Sequence, residues 1–250
     1  MINLENTNCI VTGGTGKIGS SIVQGFLERG AIVHSISRTN SGRLDHLKTN
    51  RLNQINLDVT NEKEFKNLLD KIENSTSPIN TLVNCCSHRP MNKCMSDSIE
   101  KWKDSILNNS LGLFVPTRTC INNMIKNKIE GSIITISSIY GLVSPQSSIY
   151  EGLSFESEPD YSYNKFAAIG FTKYISSFYA DKNITANIIA PGGVFNNQEK
   201  LFIERYESRV PMNRMANPKD IQGLVCFLAS EEARYITGAV IPIDGGWTNI

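Results

Sequence analysis

The sequence has almost no excess charge of either sign. Its 250 residues include 25 lysines and arginines and 24 aspartates and glutamates, for a formal net charge of +1. We therefore do not expect the basic surface that nucleic acid or an anionic membrane would require. Apolar runs are short, well below the roughly 20 residues of a membrane span, and the first residues lack the pattern of a signal peptide. These absences predict a cytoplasmic protein without nucleic-acid or membrane partners.

The sequence also lacks the cysteine and histidine patterns of a metal site. Its six cysteines and three histidines are scattered, with no C-x-x-C pair and no histidine at ligand spacing. We therefore predict no bound metal and expect the cysteines to be reduced and mostly buried. No linker rich in proline, glycine or serine divides the chain, and there is no internal repeat. Residues 1–250 are thus predicted to form a single domain.

The first motif is a strand, a glycine-rich turn and a helix. Residues 9–12 are a short apolar run, residues 13–19 contain four glycines, and apolar residues then recur at helical spacing between 22 and 27. Glycines let the backbone turn tightly and approach a pyrophosphate, while the helix presents free amides to it. We therefore predict nucleotide binding by Gly13, Thr15, Gly16, Lys17, Ile18 and Gly19.

The second strand, residues 31–37, ends where the adenosine ribose of a dinucleotide would lie. An acidic residue there selects NAD, whereas a small hydroxyl residue followed by arginine suits the extra phosphate of NADP. This chain has Ser37 and Arg38 at that place. We therefore predict that NADP(H) is favoured over NAD(H), with Lys17 adding positive charge nearby.

Strands and helices continue to alternate along the chain. A third strand is predicted around residues 55–57, a helix between 65 and 72, and a fourth strand over 81–84. Such alternation calls for a parallel sheet covered by helices, with the ligand outside the carboxyl ends of the strands. The predicted fold is therefore α/β: a single-domain, doubly wound parallel sheet of the Rossmann type with helices on both faces.

Tyr161 and Lys165 lie four residues apart. At this spacing they share one face of a helix, so the lysine ammonium can sit beside the tyrosine ring. A fixed cation favours the ionised form of a phenol, and a tyrosine tuned in this way can transfer protons at neutral pH. Tyr163 has no such partner, because residue 167 is alanine. The spacing alone is common in helices, so other motifs must decide.

Those other motifs follow in order along the chain: Asp58-Val59, Leu82-Val83-Asn84, Asn109-x-x-Gly112, Ser137-Ser138, Pro191-Gly192 and Ile236-Thr237-Gly238. Together with the glycine turn and the Tyr161–Lys165 pair, they resemble the short, single-domain members of the short-chain dehydrogenase/reductase family. The resemblance extends from Thr12 to Trp247. It implies an NAD(P)(H)-dependent oxidoreductase that transfers hydride between a nicotinamide cofactor and a carbonyl or secondary alcohol.

The resemblance also implies roles for individual residues. Tyr161 would be the general acid or base, Lys165 would tune Tyr161 and hold the nicotinamide ribose, and Ser138 would hydrogen-bond the substrate oxygen. Asn109 would hold a water that connects Lys165 to solvent. The further cofactor contacts that the family pattern implies are Asp58, Val59, Asn84, Pro191, Gly192 and Val194.

Several departures from the family pattern concern the substrate side. Residues 142–160 form an insertion before Tyr161, and residues 196–214 are predicted to form a lid with a helix over 199–210. A similar insertion occurs in relatives associated with bacterial surface-sugar pathways, including those of legionaminic acid type. A sugar or sugar-nucleotide substrate is therefore expected. Met212 and Met215 could line the substrate pocket or fill the core, and the core is preferred.

Two alternatives remain open. One is a ketoreductase of the 3-oxoacyl-carrier-protein type, which should show a basic rim for its acidic carrier; the acidic residues of the insertion disfavour it. The other is a nucleotide-binding scaffold without chemistry, which has no need of Ser138, Tyr161 and Lys165 together. By resemblance, self-association to a dimer or tetramer is expected, through the helix at 102–125 and the strand at 240–243.

Overall fold

The computed structural model describes residues 2–250. The strands are β1 Asn8–Thr12, β2 Ile32–Ser37, β3 Leu52–Asn56, β4 Thr81–Asn84, β5 Gly131–Ile136, β6 Ile184–Pro191 and β7 Val240–Ile243. The α-helices are α1 Lys17–Glu28, α2 Glu62–Ser75, α3 Ile99–Asn127, α4 Pro159–Tyr179, α5 Lys200–Glu207 and α6 Pro218–Leu228. Among the described residues, no helix combines the length and the hydropathy that crossing a bilayer would require.

All seven strands form one parallel sheet in the spatial order β3-β2-β1-β4-β5-β6-β7. The chain winds outward from β1 to β3, returns to β4 on the other side of β1, and continues to β7. The point between β1 and β4 is therefore a topological switch point, where open α/β sheets bind ligands. The predicted doubly wound fold is confirmed.

Two apolar layers pack against opposite faces of the sheet. On one face, α1 and α6 pack against the sheet through side chains such as Phe26 and Val225. On the other face, α2, α3 and α4 pack through Phe65, Ile121 and Ile175. Successive residues of β1 point into different layers, as the pleat of a strand requires. These two cores fix the helices whose ends reach the cleft described below.

The third strand lies earlier than the sequence analysis predicted. It was expected around residues 55–57, whereas β3 spans Leu52–Asn56 and leaves Leu57 beyond its end. Its register with β2 runs from Val33 opposite Leu52 to Ser37 opposite Asn56. β3 is an edge strand whose side chains are exposed or half-buried. It therefore lacks the continuous apolar run that marks a buried strand.

The insertion and the predicted lid pack against each other. The helix predicted over residues 199–210 is shorter, because α5 spans Lys200–Glu207. Its Phe202 and Tyr206 join Ile149 and Tyr150 of the insertion, together with Trp247, in a third apolar cluster. Met215 is buried, as expected, but the expectation for Met212 is wrong: its side chain is 60% exposed. The turn that carries Met212 is bonded to Gly245, which keeps this residue outside the cluster.

The contact between α1 and α6 generates a stability prediction. A Cβ added at Gly25 would come within 2.2 Å of the buried side chain of Gln222, which also bonds Ser21 and Glu28. We expect Gly25→Ala to lower the free energy of unfolding by about 1–3 kcal/mol, because overpacking displaces these bonded groups. Urea denaturation measures the change.

The matched control is Gly223→Ala, on the partner helix. An added Cβ there meets no heavy atom within 4 Å. Alanine in an exposed helix interior is favoured over glycine by about 0.5–1 kcal/mol, so this variant should be more stable than the parent. Equal stability of the two alanine variants would contradict the close α1–α6 contact.

Candidate active site

A cleft of about 550 Å³ runs along the carboxyl ends of the strands. Three of the predicted catalytic residues line it: Asn109, Tyr161 and Lys165. Most of the predicted cofactor-binding residues line it as well, namely Gly13, Thr15, Gly16, Lys17, Ile18, Gly19, Ser37, Arg38, Asp58 and Val59. The structure therefore brings together residues at the ends of β1, β2 and β3 with residues of α3 and α4 that lie far from them in the sequence.

A second cavity of about 310 Å³ adjoins the first. It is lined by the remaining predicted catalytic residue, Ser138, and by Pro191, Gly192 and Val194. Tyr161 lines both of these spaces; of the two, Lys165 lines the larger cleft and Ser138 lines the second cavity. Tyr161 thus marks the junction between the two.

The glycine turn has the geometry that a pyrophosphate requires. Gly13 has a φ of +68°, and a Cβ there would lie 2.9 Å from the Cα of Cys86. Helix α1 begins at Lys17. The preceding residue, Gly16, has no side chain that could cap the backbone amides of the first turn. These amides belong to residues that line the cleft. An uncapped helix N-terminus beside a close backbone turn suits a dinucleotide phosphate.

Ser37 and Arg38 lie at the end of the cleft over β2. The Ser37 Oγ accepts a hydrogen bond from the Thr15 backbone N–H at 3.1 Å, and Ser41 donates to the Thr15 carbonyl at 2.6 Å. These bonds join the segment after β2 to the glycine turn. Arg38 is exposed, and its guanidinium lies 3.4 Å from Nδ1 of His88. The hydroxyl-plus-arginine pattern therefore faces the cleft, as predicted.

Lys17 lines the same cleft as Ser37 and Arg38, but its ammonium is bonded to the segment after β6. Its ammonium donates to Oδ1 of Asn196 at 3.1 Å and lies 5.6 Å from the centre of the Phe195 ring. As the first residue of α1, Lys17 extends across the cleft towards the segment after β6. Its positive charge consequently belongs to the end of the cleft that contains Tyr161.

Tyr161 and Lys165 share one face of α4, as their spacing predicted. The Lys165 ammonium lies 5.5 Å from the centre of the Tyr161 ring and donates to the Ile136 carbonyl at 3.1 Å. The Ser137 hydroxyl donates to the Lys165 carbonyl at 2.9 Å. Tyr163 is 52% exposed and packs against Trp102 instead. Only Tyr161 of the two tyrosines lies in the site.

Ser138 lies where β5 passes into a short 3-10 helix, Ile139–Gly141. It is 6% exposed, and its Oγ accepts a hydrogen bond from the Tyr140 backbone N–H at 3.1 Å. Because that bond uses the oxygen as acceptor, the hydroxyl hydrogen is left to donate. The serine can therefore donate into the second cavity.

Asn109 is engaged with the loop after β4. Its Nδ2 donates to the carbonyl oxygens of His88 at 2.7 Å and Ser105 at 2.8 Å, and its Oδ1 accepts from the His88 backbone N–H at 3.0 Å. Both N–H groups of the side chain are thereby used. The side chain holds this loop in place and makes no hydrogen bond to Lys165 among residues 2–250.

Asn84 does not line the cleft. It is 4% exposed, its Nδ2 donates to the Thr117 hydroxyl at 2.9 Å, and it lines a third cavity of about 340 Å³ that also reaches Phe114 and Phe171. Within the described residues, its buried Oδ1 has no hydrogen-bond partner. The side chain at the end of β4 thus faces α3 rather than the predicted cofactor position.

The two cysteines that line the cleft are not activated thiols. Cys85 and Cys86 line the cleft, and burial raises the pKa of Cys85 to about 12 and also raises the pKa of Cys86. Both thiols therefore stay protonated at neutral pH. Cys9, Cys120 and Cys226 are buried as expected, whereas Cys85, Cys86 and Cys94 are half-buried. Residues 2–250 contain no cluster of three potential metal ligands.

Arg89 is a charged residue of the site that the sequence did not indicate. Its guanidinium carbon lies 4.5 Å from the centre of the Tyr161 ring, and the residue lines both the cleft and the second cavity. What could have indicated its role is its position five residues after β4, at the edge of the sheet where ligands bind. The distance between Arg89 and Tyr161 depends on the path of the loop after β4, which no local sequence pattern specifies.

Comparison with known proteins agrees with this geometry. The family model described as enoyl-(acyl carrier protein) reductase matches residues 15–248. The 3-oxoacyl-[acyl-carrier-protein] reductase of Thermotoga maritima is 30% identical over 258 residues, covering 98% of this chain and 99% of the relative. The post-translational flagellin modification protein A of Campylobacter coli is 29% identical over 257 residues, covering 98% and 99%.

A solved structure is similar over almost the whole chain. The short chain dehydrogenase from Leptospira borgpetersenii serovar Hardjo-bovis, determined with bound NAD+, has a TM-score of 0.90 and 32% identity, covering 99% of this chain and 96% of the other. The ordered motifs, the seven-stranded sheet and these similarities lead to one conclusion. The chain belongs to the short-chain dehydrogenase/reductase family of nicotinamide-dependent oxidoreductases.

Proposed function

We propose that this enzyme is an NADP(H)-dependent oxidoreductase that interconverts a carbonyl group and a secondary alcohol of a sugar or sugar nucleotide. The observation that carries the proposal is the position of Tyr161 at the junction of two cavities. Lys165 lies on the side of the larger cleft, and Ser138 lies on the side of the second cavity. A proton donor between a cofactor space and a substrate space is what such a reaction requires.

The larger cleft fits a nicotinamide dinucleotide. The glycine turn and the uncapped N-terminus of α1 would hold the pyrophosphate, Ser37 and Arg38 the adenosine end, and Lys165 the nicotinamide ribose. When bound, the cofactor supplies or accepts the hydride. Asp58 and Val59, just past the end of β3, would contact the adenosine moiety.

Tyr161 and Ser138 would act on the substrate oxygen. In the direction of reduction, the Tyr161 hydroxyl donates its proton to the carbonyl oxygen, and the Ser138 hydroxyl hydrogen-bonds the same oxygen as negative charge develops on it. The Lys165 ammonium attracts the charge left on the phenolate. In the direction of oxidation the same groups act in reverse. We assign Asn109 to positioning the loop that carries Arg89.

The second cavity supports a sugar-like substrate. Its wall combines Ser138 with the aromatic residues Tyr140, Tyr150, Phe202 and Tyr206, and the hydroxyls of Tyr140 and Tyr150 lie 2.9 Å apart. Aromatic faces with hydroxyl groups at their edges can pack on a sugar ring and hydrogen-bond its substituents. Similarity to a flagellin modification protein also agrees with a role in surface-glycan biosynthesis.

A second candidate is the reduction of an acyl ketone bound to a carrier protein. The similarity to 3-oxoacyl-[acyl-carrier-protein] reductases favours it. On the insertion next to the second cavity, Glu151 and Glu156 are exposed and would repel an acidic carrier, whereas Glu158 and Asp160 are buried. Assays with 3-oxoacyl thioesters and with keto sugars in parallel distinguish the two candidates.

The Tyr161→Phe variant tests the proposed chemistry. Removal of the hydroxyl should lower kcat by about 10²–10⁴-fold or more, since a general acid typically contributes this much. The dissociation constant for NADPH should stay nearly unchanged. Turnover is followed by cofactor absorbance on a panel of keto and alcohol sugars, free and nucleotide-linked.

Tyr163→Phe is the matched control for this experiment. It removes the same atom two residues away, on a side chain that is exposed and packs against Trp102. Its kcat should equal that of the parent. Unchanged turnover in Tyr161→Phe would refute the assignment of Tyr161 as the proton donor.

Cofactor preference depends on Arg38. Within residues 2–250 its guanidinium has no carboxylate partner, so it is available to the extra phosphate of NADPH. We expect Arg38→Gln to weaken NADPH binding by about 10–100-fold, the effect of losing a hydrogen bond to a charged group. NADH binding should change little. Tighter binding of NADH than of NADPH by the parent enzyme would contradict the predicted preference.

We further propose that a second copy of the chain covers the outer face of α3 and α4. Leu107 and Phe114 on α3 and Phe166 and Phe178 on α4 are 42–61% exposed. Exposed apolar side chains on two adjacent helices are typical of subunit interfaces. The strand β7, also predicted to associate, lies at the free edge of the sheet.

Substitution on this face tests the assembly. The parent should sediment as a dimer or tetramer of the 27.8 kDa chain, and Phe114→Glu together with Phe178→Glu should shift it to monomer, because burying two carboxylates is costly. Tyr235→Glu replaces a fully exposed aromatic residue elsewhere and should leave the assembly intact. A monomeric parent at micromolar concentration would refute the proposal.

A further inference from the structure

Arg89 has no polar partner within the described residues. Neither an ion pair nor a hydrogen bond engages its guanidinium among residues 2–250, and its contact to the Tyr161 ring is made at 4.5 Å. It is also near Tyr150: burial raises the pKa of Tyr150, and the charge of Arg89 opposes part of that rise. The arginine therefore lies between two tyrosines of the second cavity with its N–H donors free. A guanidinium over an aromatic ring can still bind an oxyanion through its N–H groups.

Lys17 supplies a second positive charge to the same cavity. Its ammonium is bonded to the amide oxygen of Asn196, a neutral group that leaves the charge uncompensated. The residues lining the second cavity include Lys17 and Arg89 but no aspartate or glutamate among the described residues. A space with two cations and no carboxylate attracts an anion.

The acidic residues of the insertion do not neutralise this charge. Glu156 and Glu158 accept hydrogen bonds from Cys94, and Asp160 accepts one from Ser105 on α3. None of the three lines the second cavity. The carboxylates of Glu156, Glu158 and Asp160 are therefore bonded to Cys94 and Ser105, and none of the three is bonded to the guanidinium of Arg89.

We propose that the substrate carries an oxyanion, a carboxylate or a phosphate, close to the carbon that reacts, and that Arg89 binds this group. The inference rests on the proposed function, and it narrows the substrate from a sugar to an acidic sugar or a sugar phosphate. Arg89 is the substrate-binding residue, and Lys17 adds long-range attraction. The guanidinium and the proton donor are adjacent, so the anion and the reacting carbon occupy the same end of the molecule.

Paired probes test the proposal on the intact enzyme saturated with NADP+. Isothermal titration calorimetry compares gluconate with sorbitol, and glucose 6-phosphate with glucose, so that each acid has a neutral counterpart. At least one acid should bind about tenfold more tightly than its neutral partner, because charge-assisted hydrogen bonds to arginine are strong. Preference for gluconate assigns a carboxylate, and preference for glucose 6-phosphate assigns a phosphate.

Variants assign the effect to Arg89. Arg89→Met should abolish the preference for the acid, and Arg89→Lys should restore only part of it, because an ammonium lacks the planar donor pair. The control Arg51→Met removes an arginine that precedes β3, at the opposite end of the strands, and should change nothing. Arg89 is exposed, so its substitution should leave the fold intact, and the NADP+ affinity of each variant checks this.

The outcomes separate this inference from the proposed reaction. Equal binding of acids and neutral partners, or no binding of any acid, overturns the anion site. Weaker NADP+ binding in Arg89→Met also overturns it, because the arginine then serves the cofactor. Turnover of a neutral sugar that requires Tyr161 but not Arg89 would refute the inference and leave the reaction standing. Selective binding of acids without turnover of any carbonyl or alcohol would refute the proposed reaction and leave the anion site standing.

Discussion

The hydrogen bonds between α4 and the end of β5 fix the position of Tyr161, the proposed proton donor. The Lys165 ammonium is bonded to the Ile136 carbonyl, and the Lys165 carbonyl accepts from the Ser137 hydroxyl. The side chain and the backbone of Lys165 are thus both hydrogen-bonded at the carboxyl edge of the sheet. Tyr161 lies one turn earlier on the same face of α4 and is held at the junction of the two cavities. A reacting group on a helix fixed in this way keeps its position better than one on a loop.

The two cavities are built by different means. The larger cleft depends on backbone: close turns at glycine, an uncapped helix end and the switch point of the sheet. The second cavity depends on side chains from the insertion, the segment with α5 and the loop after β4. Backbone features of this kind suit any dinucleotide, whereas the side chains differ with the substrate. In the proposed function, cofactor binding therefore depends mainly on the backbone of the first half of the chain, and the choice of substrate on the side chains around the second cavity.

Local periodicity explains which expectations the structure confirms. The parallel sheet, the strand-turn-helix at residues 8–28 and the shared face of Tyr161 and Lys165 follow from spacings of a few residues. The contacts that the sequence did not indicate are those between distant segments. Lys17 meets Asn196, Asn84 faces α3, and Arg89 reaches Tyr161. Each depends on the path of another loop, so no single stretch of sequence specifies it. The shifted β3 has a further cause, because a half-exposed edge strand has no apolar run to mark it.

The central claim is that Tyr161 joins a cofactor space to a substrate space. A crystal structure of the enzyme with NADP+ tests it most directly. The account predicts a cofactor in the larger cleft, with its pyrophosphate at the N-terminus of α1, its nicotinamide beside Tyr161 and Lys165, and the second cavity still open. A nicotinamide that lies away from Tyr161, or a cofactor that fills the second cavity, would contradict it.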